Sequence, residues 1–139
     1  MTRALSPQSF SFELRRGIAA MEFAVCVPIL LVLIIGTIEA CSIIYLKQTL
    51  STAAYEGVRA ALVNGADTAD VTDACNRILN SRRTSGATVT ITPSSFTSQP
   101  VQSWITVRVT ANGGANSVVA GWFYDRLTID GQATMMKEY

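Results

Sequence analysis

The chain has 139 residues, 49% of them hydrophobic and only 15% charged, with a formal net charge of +1 and no histidine. A near-neutral balance excludes a broad electrostatic attraction to nucleic acid, and the lack of histidine removes the commonest general base and metal ligand. Cys26 and Cys41 stand fifteen residues apart in one apolar run, about 22 Å along a helix, so with Cys75 outside that run no disulfide framework forms.

Residues 1–17 are polar, with Arg3, Glu13, Arg15 and Arg16 and a Ser/Pro/Gln stretch at Ser6–Ser9. Neither helical nor strand periodicity is strong there, and the segment is expected to be a disordered tail, a candidate for removal from the mature protein.

Residues 18–46 carry the apolar run. Its uncharged core, 23–38, has sixteen residues, slightly short of the ~20 a bilayer needs; extension through Leu46 supplies the length if Glu39 reaches the headgroup layer. Basic residues before the run and none clustered just after it place the N-terminus in the cytoplasm. A secretory signal fits less well, since the run is long and no small-x-small site leads into a polar start. Ile38-Glu39-Ala40-Cys41 is a poor lipoprotein box, and Arg15-Arg16 lacks the neighbours of a twin-arginine signal.

From Leu46 the helix is predicted to continue into water. Leu46, Leu50, Ala53/Ala54, Val58 and Ala61/Leu62 form an apolar stripe at the helical period, and Asn64-Gly65 supplies the stop. A second helix is predicted from Asp67 or Thr68 to about Asn80, with Val71, Cys75, Ile78 and Leu79 on its buried face. Asp67, Asp70 and Asp73 have a spacing that suggests a cation site. Capping of the helix start accounts for them better, because no glycine-punctuated calcium loop is present. Cys75 reads as a small core residue.

After Ser85-Gly86 the period changes to two. Strands are predicted near 87–92, 103–110 and 126–135, the second presenting Ile105, Val107 and Val109 on one face and the third carrying a bulge at Gly131. Asn112–Asn116 is a turn or flexible loop. Trp122, Phe123 and Tyr124 fit a partner patch, a membrane-surface contact or a loop folded over the core. Three one-faced strands cannot stand alone in water and need the helices as cover. The expected fold is therefore α+β. A long N-terminal helix, transmembrane in its first half and amphipathic in its second, packs with a second helix on a small three-stranded antiparallel sheet. Residues 47–139 form the extracytoplasmic part.

No catalytic constellation, metal set, cofactor motif or small-molecule site is legible. Glu22 is the exception to this blandness. A carboxylate four residues inside an apolar helix costs several kcal/mol unless it is paired or reaches the headgroups beside Arg15 and Arg16. Glu39 raises the same question at the other end of the run.

Gly17-Ile-Ala-Ala-Met-Glu22-Phe-Ala24, Pro28, Gly36-Thr-Ile-Glu39 and Ala53-Ala-Tyr-Glu56-Gly57-Val-Arg59 together resemble TadE-like proteins, minor pseudopilins of the tight-adherence (Flp-type) pilus system. The chain departs from that pattern in Met21, in Ala40-Cys41 and in Tyr55 and Val58. The resemblance implies a pilin-like fold and cleavage by a prepilin peptidase after Gly17, with Arg15 and Arg16 as the leader's basic flank. Ile18 would become the mature, often methylated, N-terminus. It implies pilin and pseudopilin partners, among them further copies of this chain. Glu22 would pair with the terminal amine of a neighbouring subunit, and Pro28 would kink the span. Glu39, Glu56, Gly57 and Arg59 belong to the motif without a stated role, and Glu56 with Arg59 reads as a surface pair. The expected function is non-enzymatic pilus assembly. The alternative is a single-span surface or ligand-binding protein with an uncleaved leader.

Overall fold

The computed structural model describes residues 8–119 and 126–138. Trp122, Phe123 and Tyr124 lie outside the described residues. The chain divides into two compact units, Met1–Thr37 and Ile38–Tyr139, and one helix, α1 (Gln8–Ala61), contributes to both.

In the first unit the helix already includes residues 8–17, where a disordered tail was expected. No proline falls between Gln8 and Val27, and adding residues to an existing helix avoids the costly nucleation step. From Gly17 to Leu33 almost every side chain is exposed, among them Ile18, Phe23, Ile29 and Leu33. A helix that is apolar all round and uncovered needs a non-aqueous environment. Among the described residues it is the one helix long and apolar enough to cross a membrane.

The second unit is the expected α+β arrangement. Leu46, Leu50, Ala53, Ala54, Val58 and Ala61 of α1 are all buried, which is the stripe read from the sequence. The helix ends by tightening, Leu62 and Val63 donating to the carbonyls of Arg59 and Ala60, and Gly65 then turns the chain at φ 81°. Helix α2 (Thr68–Ser81) opens with a reciprocal cap. The Asp70 amide donates to Asp67 and the Asp67 amide to Asp70, each at 2.9 Å, so these carboxylates serve the helix start.

Strands β1 (Thr88–Thr92), β2 (Trp104–Asn112) and β3 (Thr128–Met136) form an antiparallel meander in the order β1-β2-β3. Ile105, Val107, Val109 and Ala111 of β2 are buried with Val71, Cys75 and Leu79 of α2 and the stripe of α1. Each such side chain contributes about 1.5–3 kcal/mol relative to exposure. Phe96, from the β1–β2 connection, completes the core at 1% exposure.

Gly131 does not mark a bulge. The β2–β3 register is unbroken from Trp104↔Met136 to Asn112↔Thr128, with Gly131 opposite Val109. A Cβ at Gly131 would overlap the α1 backbone at Leu50 and Ser51. The glycine therefore lets the sheet approach the helix closely. Asn112–Asn116, expected as a turn or flexible loop, closes β2 and continues into a short 3-10 turn, Gly114–Asn116. The Asn112 side chain accepts from the Ala115 amide, and Asn116 donates to the Asn112 carbonyl.

Candidate functional site

The residues singled out in the sequence lie along α1. Arg15 and Arg16 are within the helix, and Gly17 and Ile18 continue it with exposed side chains. A Cβ built on Gly17 meets nothing within 4 Å. A glycine inside a helix costs about 1 kcal/mol relative to alanine, and no packing within the chain calls for one here. Glu22 is exposed and has no hydrogen bond or ion pair among the described residues. The helix continues through Pro28, which with Ile29, Val32 and Leu33 lines a shallow apolar hollow.

Glu39 is a correction. An acid at the end of the apolar run was expected to reach the headgroup layer, yet its side chain is 1% exposed. Its Oε1 accepts from the Ser117 hydroxyl at 2.5 Å and from the Val119 amide at 3.0 Å. Val119 also donates to Ser117 Oγ at 3.2 Å. Glu39 Oε2 is buried without a hydrogen-bond partner among the described residues. A buried carboxylate is tolerated when donors converge on it, and the β2–β3 connection supplies two. That connection is itself fastened: Asn116 accepts from the Ser85 amide at 2.7 Å and donates to the Ser85 carbonyl at 3.0 Å. Hydrogen bonds thus run from the start of the second unit's helix, through the β2–β3 connection, to the α2–β1 turn.

Glu56, Gly57 and Arg59 separate by role. Glu56 and Arg59 form an exposed i, i+3 pair at 4.0 Å, of little energetic consequence. Gly57 is buried; a Cβ there would overlap Cys75 Sγ and lie 3.2 Å from Val107 Cγ1. It is the point where α1, α2 and β2 meet. Cys75 is fully buried, its thiol donating to the Ala53 carbonyl at 3.3 Å, and burial pushes that thiol up to about 11. No group of three or more metal-ligating side chains occurs among the described residues.

Two functional contributors escaped the sequence reading, Ser117 and Asn116. A buried acid implies donors, but nothing in an Asn-Gly-Gly-Ala-Asn-Ser loop says which distant carboxylate it will meet.

The exposed apolar helix, with an acid near its start and a packed amphipathic continuation, is long and apolar enough to fit a single-pass membrane anchor. Residues 17–59 match the family model described as TadE-like protein. No curated protein and no solved structure matches the chain.

Proposed function

We propose that this chain is a non-enzymatic minor pseudopilin that helps assemble a tight-adherence pilus or a related secretion apparatus. In this reading a prepilin peptidase cuts after Gly17, residues 1–17 are the leader, and Ile18 provides the mature amine. Residues 18–46 hold the protein in the membrane with the N-terminus cytoplasmic, and the α+β part lies outside.

The observation that carries the reading is Gly17 itself. It stands in open space on a continuous helix, five residues before an acid that has no partner among the described residues, where the family match also begins. Neither packing nor helix stability favours glycine at this position. A peptidase that must open the helix and accept a residue without a side chain favours it on both counts. Once cleaved, the Ile18 ammonium of one subunit and Glu22 of the next attract strongly in a low dielectric, and their pairing sets one helix in register against another.

Co-production with a prepilin peptidase tests the reading. Wild-type chain should shorten by the leader, while Gly17→Leu should keep its full length with the helix and domain intact by circular dichroism. Processing of neither chain would leave a single-span anchored protein with an uncleaved leader as the better account, and equal processing of both would refute the role given to Gly17.

A further inference from the structure

The end of the second unit that carries Glu39 is basic, and the side chains there are free to meet a surface. The fold brings this about. Arg82 caps α2 and places its guanidinium 5.4 Å from the centre of the Tyr45 ring. Cys75, two turns earlier, bonds to Ala53, so α2 runs antiparallel to α1 and finishes toward Glu39. Arg83 follows in the turn that Ser85 ties to Asn116, next to the loop covering Glu39. Arg126 enters the same end from the other side, because the Leu127 carbonyl accepts from the Gly113 amide at 2.7 Å. Arg82, Arg83 and Arg126 are all exposed.

Among the described residues, exposed acids are placed elsewhere. Asp67, Asp70 and Asp73 lie in the first half of α2 or at its cap, roughly 14 to 22 Å from Arg82 along the helix. Asp130 faces Lys47 and Arg108. Glu39 is buried beneath Ser117 and Val119, and Asp125 lies outside the described residues. In the chain, Glu39 directly follows the apolar run. Tyr45, half exposed at 51%, is the kind of amphipathic ring that settles at a membrane–water boundary.

We propose that Arg82, Arg83 and Arg126 form a collar that binds the phosphate headgroups of anionic phospholipids around the emerging helix. The proposal rests on the apolar run from Ile18 to Ile38 spanning the bilayer. Each arginine near an anionic surface adds an attraction that falls off within a Debye length. Their joint role would be to hold the domain's base against the lipid.

The full-length chain in nanodiscs tests this by hydrogen exchange, with phosphatidylcholine alone or with added phosphatidylglycerol. Amides of residues 82–87 should exchange about fivefold more slowly when the anionic lipid is present, an effect that added salt removes. The triple variant Arg82→Gln/Arg83→Gln/Arg126→Gln should exchange equally in both lipids. Arg59→Gln, which removes an exposed cation about 21 Å along α1 from Tyr45, should behave as wild type. Equal wild-type rates in the two lipids, or loss of the effect in the distal variant, would overturn the collar. Failure of the wild-type chain to float with vesicles would instead overturn the span on which it rests.

Discussion

Glu39 and Ser117, 78 residues apart in sequence, are joined by a hydrogen bond that closes the β2–β3 connection over the helix. The acid at the end of the apolar run thus works inside the domain as a fastening point. Glu39→Ala should remove both accepted bonds, costing about 1–3 kcal/mol. Ser117→Ala should cost less, since Val119 still reaches the carboxylate. Denaturant unfolding of the two variants and their double mutant should reveal coupling between the sites; strict additivity would show that the contact carries no energy.

Gly57 and Gly17 sit in opposite surroundings, one in the core and one in open space. Gly57→Ala should destabilise the fold by about 1–3 kcal/mol through overpacking, and Cys75→Ala should recover part of that loss by removing the nearest atom. Gly131→Ala should be worse, because the atoms it meets are helix backbone and cannot swing aside. Gly17→Ala should leave unfolding unchanged or slightly raise stability, since its Cβ meets nothing. Thermal melts of the four variants would check this order.

The Cys75 thiol gives a pH signature. Its folded-state value, about 11, lies above the ordinary 9.0, so the neutral thiol is favoured by folding. The associated stability is complete below pH 9 and declines as pH rises from about 9 toward 11. Cys75→Ala should remove that part of the alkaline loss, read as a shallower fall in the unfolding midpoint than wild type shows. An unchanged slope would mean that burial does not hold the thiol neutral.

Much of this architecture was readable before any coordinates. Leu46 to Ala61 and Ile105 to Val109 announce their faces because burial repeats with the period of the element. The acidic start of α2 is a local capping pattern, and local patterns survive without tertiary knowledge. What was not readable depends on contacts between distant segments. The environment of Glu39 is set by Ser117 and Val119, the need for glycine at 57 and 131 by Cys75 and by the Leu50–Ser51 backbone, and the burial of Phe96 by a connection that looks polar in sequence. Residues 8–17 read as a tail because they lack periodicity. An existing helix extends through such residues without a hydrophobic face of their own.

Glu22 is exposed and has no hydrogen bond or ion pair among the described residues. If the proposed cut at Gly17–Ile18 and the proposed amine pairing hold, Glu22→Ala should leave leader removal intact and impair assembly. Processing seen on a gel alongside a count of surface fibres separates the two effects. Normal fibre numbers would refute the pairing.

The most direct measurement is the N-terminal sequence and intact mass of the protein extracted from membranes of cells with an active prepilin peptidase. The account predicts a chain beginning at Ile18, with residues 1–17 absent. A chain beginning at Met1 or Thr2 under those conditions would contradict it.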